Sequence, residues 1–199
     1  KRGLLIETHT GNGGITKGVP SKILTLTRTG LNDVERLLSE EELLPYELDP
    51  HKIKQDFLRH GLCAQKATSN VMKTEKFVGY QTEKEIQRTA EAGVKQHDVI
   101  WQIDQSVIGV EIELTAKWNR PFDQFIIGCV QSITSGAVNQ LFLISDAPAI
   151  IKRYKHTLTG GTQIPRWVQN KKRFWEISGS LTLPDGIERR VICQEFKDY

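Results

Sequence analysis

At 199 residues with 38% apolar side chains, the chain can fill a sizeable core, which excludes a disordered tail and predicts a globular fold. Its 27 Lys and Arg nearly balance 24 Asp and Glu, so a nucleic-acid partner must be argued from local patches and not from net charge. Cys63, Cys129 and Cys193 are far apart, odd in number and without Cys or His at ligand spacing, which argues against a disulfide framework or a structural zinc and suits a reducing cytoplasm.

The longest apolar runs, such as Leu141 to Ile144, fall far short of a membrane span, and no charged-then-apolar leader opens the chain, so a soluble cytoplasmic protein with no membrane partner is expected. The chain opens at Lys1 inside what reads as a hairpin, so its natural start is expected upstream.

Gly3 to Ile6 and Ile23 to Leu26 are short strand-like runs around a Gly-rich tip, Gly11-Asn12-Gly13-Gly14, a hairpin that resembles the wing of a winged helix. The tip lacks the Lys-Ser/Thr ending and following helix of a phosphate loop. Asn32 is placed to cap a helix through about Ser39, with Leu31, Val34, Leu37 and Leu38 at helical spacing, Glu40 to Glu42 as solvated charge and Pro45 as the interruption. Pro50 to Cys63 gives a second helical pattern through Ile53, Phe57 and Leu58, continuing by Ala67 and Val71. A charged loop from Lys73 to Lys76 then precedes the strand-like Phe77-Val78.

Thr82-Glu83-Lys84-Glu85 reads as a capping box: Thr82 receives an early helix N–H, Glu85 reaches back, and the helix runs to about Ala92 before Gly93. Strands at Val99 to Ile103 and Val107 to Thr115, a helix at Phe122 to Thr134, a strand at Gln140 to Ser145 and a helix at Pro148 to Thr157 follow, a mixed α/β core with helices on both sides of a sheet. A basic, aromatic segment then leads to a C-terminal hairpin turning at Pro184-Asp185-Gly186.

In Val107 to Lys117, the apolar Val110, Ile112 and Leu114 alternate with Glu111, Glu113 and Thr115, so strand geometry puts two carboxylates on one face, with Lys117 in the same parity. The bland alternative is a solvated outer face. Twelve residues separate Asp98 from Glu111, the spacing of two antiparallel neighbours around Asp104-Gln105-Ser106, which stands Asp98 beside Glu111. Three converging carboxylates repel one another unless a cation neutralises them, and hard oxygen donors suit Mg²⁺ or Mn²⁺. Glu83 is expected on the sheet-facing side of its helix as an outer fourth carboxylate. His97, by strand parity, is expected to point away from Asp98. His60, after a helix, is read as a structural histidine.

These residues resemble a family. Asp98, then Glu111-x-Glu113 after a helix bearing Glu83, resembles the PD-(D/E)xK nuclease superfamily, whose fold is a mixed sheet flanked by helices. The string Gly109 to Lys117, with Leu24 to Gly30 and Arg59 to Leu62, is similar to replication-relaxation proteins and MobC-type plasmid mobilization relaxases. The resemblance, spanning roughly Ser21 to Tyr154, implies an α+β chain: a partial winged-helix region with connecting helices over 1–72 and a restriction-endonuclease-like domain over 73–199. It further implies metal-dependent nicking of plasmid DNA at a transfer origin, with Asp98, Glu111 and Glu113 as metal carboxylates and catalytic groups, joined by Glu83 and Lys117, and other mobilization or coupling proteins as partners. The chain departs from the pattern in two places: His97 stands where Pro precedes the Asp, and Glu113 where the usual Lys stands. Either Lys117 supplies the cation, or Glu113 serves as base or second ligand.

Lys152, Arg153, Arg166, Lys171, Lys172 and Arg173, interleaved with Trp167, Phe174 and Trp175, are the candidate DNA contacts; Lys17, Lys22 and Arg28 near the wing add weaker ones. Tyr46, Tyr80, Tyr154 and Tyr199 are available as nucleophiles, but none has the neighbouring His pair of a metal-assisted tyrosine relaxase, so water is the expected attacking group. Two rival readings stand beside nicking: a catalytically silent DNA-binding accessory protein, which Glu113 favours, and a double-strand restriction or repair endonuclease.

Overall fold

The computed structural model describes residues 3–11, 13, 15, 18–38, 46–54, 57–74, 76–89 and 94–196. Asn12 and Gly14 of the hairpin tip, Lys17, the stretch from Ser39 to Pro45, the expected helix end at Ala92-Gly93, and Tyr199 lie outside the described residues. The chain divides into two compact units, Lys1–Leu62 and Cys63–Tyr199.

In the first unit, β1 (Leu5–His9) pairs antiparallel with β2 (Lys22–Leu26), Leu5 facing Leu26 and His9 facing Lys22. Helix α1 (Arg28–Glu35) follows at once, capped by Thr27, whose Oγ1 accepts the Gly30 N–H at 3.0 Å. The expected cap, Asn32, therefore lies inside the helix: Thr27 reaches an orphan amide first. Gly30 allows this packing, because a Cβ there would stand 2.1 Å from the Leu4 carbonyl oxygen. The pattern read from Pro50 onward begins as a 3₁₀ turn, Pro50–Lys52, in which Asp49 accepts the His51 N–H. Ile53 is already extended, and the α-helix, α2 (Leu58–Val71), starts later than expected.

The second unit is a mixed five-stranded sheet with helices on its faces. Its elements are β3 (Phe77–Thr82), α3 (Glu83–Thr89), β4 (Val99–Ile103), β5 (Ser106–Ile112), α4 (Asn119–Thr134), β6 (Gln140–Ser145), α5 (Pro148–Thr157), β7 (Gln163–Gln169), β8 (Trp175–Thr182) and β9 (Val191–Glu195). The strand order is β3-β4-β5-β6-β9; β4 runs antiparallel to both of its neighbours, β3 and β5, while β6 joins β5 and β9 joins β6 in parallel. The cap of α3 differs in detail from the expected box: Glu85 accepts both the Thr82 N–H at 2.6 Å and the Thr82 hydroxyl at 2.7 Å.

Alternation along β5 feeds two cores. Ile108, Val110 and Ile112 pack with Val99, Trp101, Ile144 and the α2 residues Cys63 and Ala67. On the opposite face Leu141 and Leu143 of β6 pack beneath Ile126, Cys129 and Ile133 of α4 and Ile151 and Tyr154 of α5. With both faces covered, the carboxylates of β5 lie in the interior and not on a solvated surface.

The expected C-terminal hairpin is not formed by β8 and β9. Pro184-Asp185-Gly186 is a turn, with Gly186 at φ 79°, but it leads through a 3₁₀ turn, Ile187–Arg190, into β9, which closes the main sheet. The hairpin is instead a two-stranded ribbon of β7 and β8. No described helix is long and apolar enough to cross a membrane.

Candidate functional site

At the C-terminal end of β5, two carboxylates enter the core side by side in sequence parity. Glu111 is 2% exposed and Glu113 3%. Glu113 lies just past the strand, yet its N–H still bonds the Ile144 carbonyl at 2.8 Å, which keeps the strand's alternation through that position. Burying two carboxylates beneath an apolar helix layer costs several kcal/mol each unless cations or donors compensate.

Glu111 is compensated by two side chains, one of them held in turn by a third. Its Oε1 lies 2.5 Å from Lys95 Nζ and 2.7 Å from His97 Nδ1, and His97 Nε2 lies 2.8 Å from Ser132 Oγ on α4. His97 is a core histidine, 2% exposed, but it points to Glu111 and not to the opposite face that strand parity gave it. Strand parity was counted through a position that precedes β4, where the chain is not yet pleated. Gly109 makes the room, since a Cβ there would come within 2.7–2.8 Å of three ring atoms of His97. For Lys95, burial opposes the charged form, but the Glu111 carboxylate outweighs it and the ammonium is held above its ordinary range.

Glu113 is served by a second set. Lys117 forms an ion pair with its Oε1, and the Tyr154 hydroxyl donates to Oε2 at 3.0 Å. Burial raises the Glu113 carboxyl above its ordinary range, with Lys117 and Tyr154 opposing that rise. Burial and then the Glu113 charge push the Tyr154 phenol far up. Buried and with its proton held this way, Tyr154 is poorly placed as a nucleophile. The rings beneath bind both cations: Lys95 and Lys117 lie 5.2 and 4.6 Å from the Phe125 centroid. Cys129 faces the same volume; burial, then the Glu111 charge, hold its thiol well above the ordinary range.

Asp98 stands where the register places it. Val99 pairs with Val110, and the Asp98 N–H bonds the Val110 carbonyl at 3.1 Å, which sets Asp98 opposite Glu111. Its Oδ2 accepts the Ile112 N–H at 2.7 Å, so one carboxylate oxygen is turned along the strand. No protein family matches the chain, nor does any curated protein or solved structure. Glu83, expected toward the sheet, is exposed and accepts from Gln87 on its own helix; Ile86 is the residue that α3 buries.

Of the candidate DNA contacts, Lys152, Arg166, Lys171, Lys172 and Arg173 are exposed. Arg153 is half-buried, its guanidinium 3.7 Å from the Phe122 centroid and 4.3 Å from that of Trp118, and it donates to the Lys117 carbonyl at 2.5 Å. Trp167 is tied inward by its indole N–H to Asp123 at 2.8 Å, which removes it from the expected stacking surface. Sequence reasoning missed Lys95, Ser132 and Trp118. Gly109 pairs with Ile100, so nothing in the strand pattern announced the His97 ring beside it.

The Ser132–His97–Glu111 chain has the order of nucleophile, base and acid. Ser132, 4% exposed within α4, holds the far nitrogen of His97, and the chain acts to fix Glu111. Among the described residues, no group of three or more His, Cys, Asp or Glu side chains stands at metal-holding spacing. Asp98, Glu111 and Glu113 offer the hard carboxylate oxygens a divalent ion takes, while Lys95 and Lys117 already supply a cation to Glu111 and to Glu113.

Proposed function

We propose that the second unit is a metal-dependent DNA-nicking nuclease of the restriction-endonuclease-like kind, acting on plasmid DNA. The observation that carries the reading is the burial of Glu111 and Glu113 together at the end of β5, with Asp98 in register beside them and a lysine on each. Burial raises the Glu113 carboxyl above its ordinary range, and a group perturbed by burial beside a specific charge partner is a candidate for a reaction centre. The order helix, three antiparallel strands, helix, parallel strand, from α2 through β6 with α3 inserted between β3 and β4, supports the same reading, as does the resemblance of Asp98 and Glu111-x-Glu113 to the nuclease pattern.

In this reading Asp98, Glu111 and Glu113 are the residues that would hold Mg²⁺ or Mn²⁺, which would supply Lewis acidity toward a phosphodiester and acidify a water. Lys95 and His97 lock the Glu111 carboxylate in one orientation. Glu113, a stronger proton acceptor than an ordinary carboxylate because it is buried, takes the proton of the attacking water. Lys117, whose ammonium is partly exposed beside Glu113, neutralises a phosphate oxygen, the part that the lysine of the family pattern would play.

The test is conversion of supercoiled plasmid to open circles with Mg²⁺ or Mn²⁺, comparing the parent chain with Asp98→Asn and Glu111→Gln variants of matched circular dichroism. Metal-dependent nicking lost in both variants supports the reading. Linear product would replace it with double-strand cleavage, and DNA binding without any cutting would replace it with a silent accessory protein.

A further inference from the structure

We propose that the start of α4 and the β7–β8 ribbon form a track for single-stranded DNA. The inference deepens the reading above by naming the form of DNA held beside the carboxylates, and it rests on that reading only for the choice of DNA as the polymer.

Two exposed indoles mark the track. Trp118, 64% exposed, carries the Arg153 guanidinium over its ring at 4.3 Å. Trp175, 43% exposed, carries that of Arg120 at 4.2 Å. Residues Trp118 and Arg120 flank the first residue of α4, and Trp118 follows directly on Lys117, the cation of Glu113. Each pair sets an aromatic surface for a base beside a planar cation; Arg153 is itself held by Phe122 and the Lys117 carbonyl, so the phosphate contacts fall to Arg120 and the cations of the ribbon's turn. A large indole left in water is unfavourable for a free surface, and a guanidinium stacked on each holds the rings in place before any ligand arrives.

The ribbon continues the same chemistry outward. Trp175 opens β8, and the turn before it presents Lys171, Lys172, Arg173 and Phe174, all exposed, Phe174 at 68%. This turn is ordered by Asn170, whose Oδ1 accepts the N–H groups of Lys172 and Phe174, each at 3.0 Å. Arg173 adopts φ 64°, a left-handed conformation costly for a residue with a Cβ. The turn thus accepts strain to hold three consecutive cations and a ring at the ribbon's end, and the ribbon itself is anchored by Trp167 to Asp123 of α4. Single-stranded DNA fits this surface better than a duplex: ring faces can stack only on bases freed from their neighbours, whereas a duplex would engage the cations alone.

The experiment titrates the full chain with oligo(dT) and with a duplex of equal length, in EDTA and moderate salt, reading intrinsic tryptophan fluorescence and the anisotropy of labelled DNA. Trp101 is 2% exposed and Trp167 is tied inward, so quenching on binding reports Trp118 and Trp175. Oligo(dT) is expected to bind more tightly than duplex. Trp118→Ala and Trp175→Ala are each expected to weaken oligo(dT) binding about fivefold or more, while Trp118→Phe and Trp175→Phe retain most of it and duplex binding shifts little. Alanine variants that bind oligo(dT) like the parent, or that lose oligo(dT) and duplex in parallel, overturn the proposal, as does a parent chain that binds neither or prefers duplex. Because binding is read without metal, loss of the nicking assignment leaves this result standing, and nicking unaffected by the tryptophan variants leaves the nuclease reading standing without the track.

Discussion

Replacing Gly109 by alanine tests whether the His97–Glu111 contact is held by packing. The added Cβ would lie 2.7–2.8 Å from three atoms of the His97 ring, closer than side-chain carbons approach one another. The ring cannot tilt away freely, because it is fastened at both nitrogens, to Glu111 at 2.7 Å and to Ser132 at 2.8 Å. Overpacking of this kind costs about 1–3 kcal/mol, and losing the bond to a charged Glu111 adds about 1.5–3 kcal/mol. Gly109→Ala is therefore expected to cost about 2.5–6 kcal/mol, a large share of the roughly 5–15 kcal/mol that stabilises a domain. Urea denaturation followed by circular dichroism measures it as a shift in midpoint at constant slope. The decisive comparison is the same substitution in a His97→Ala background, where the methyl meets space and Ala is a better strand residue than Gly by about 0.5–1 kcal/mol. There Gly109→Ala is expected to be neutral or slightly stabilising, giving a coupling of about 3 kcal/mol or more between the two sites. An equal penalty in both backgrounds would refute the reasoning and place the conflict in the backbone.

Tyr154→Phe removes the hydroxyl that donates to buried Glu113 and is expected to cost about 2 kcal/mol in urea melts near neutral pH. Burial raises the Glu113 carboxyl in the folded state, so its charge costs stability above that raised value, and the cost is relieved as pH falls toward the ordinary 4.5. Without the phenol the rise is larger, so the variant should recover part of its deficit on acidification through that window; a deficit independent of pH would contradict the assignment. Lys95→Met leaves Glu111 without its closest cation and should cost about 3 kcal/mol. Because the Lys95 value is raised in the folded state, that difference should persist at lower pH and narrow only above the ordinary 10.5, as followed by denaturation at increasing pH. Burial pushes up the thiols of Cys129 and Cys193 and Cys63 is buried, so alkylation near pH 8 should be slow in the native chain and complete after unfolding, with rapid native labelling of Cys129 arguing against the burial of α4.

Much of the second unit was legible because its elements are bounded by sharp changes of pattern. The strands Val99–Ile103 and Gln140–Ser145 and the helix Pro148–Thr157 fall where apolar runs meet turn residues or a proline. Glu111 and Glu113 share a face, as alternation requires. Their burial depended on α4 covering that face, which no local pattern records. His97 was misread because parity holds only within a pleated strand, and Lys95 lies in a non-repetitive segment whose direction periodicity cannot give. The ribbon was missed because its turn uses Arg173 in a left-handed conformation, where a glycine would have announced it. Pro184-Asp185-Gly186 supplied the louder signal in a place where the chain merely redirects toward β9. The start of α1 moved for a similar reason: two residues could cap, and the tight fit of Gly30 under Leu4 selected Thr27.

The parallel pairing of β9 with β6 has a consequence for how the chain is made. β6 ends at Ser145, yet its outer edge is covered only when Val191–Glu195 arrives, after α5 and the whole ribbon have been synthesised. Until then a nascent chain carries a strand with Leu141 and Leu143, both wholly buried in the finished protein, and with an open row of backbone donors and acceptors. Such an edge recruits other strands, and pairing across so long a loop is slow. A ribosome pausing between the ribbon and Val191 would prolong the exposure of that edge, and expression yield should depend on the codons and chaperones that govern that last stretch.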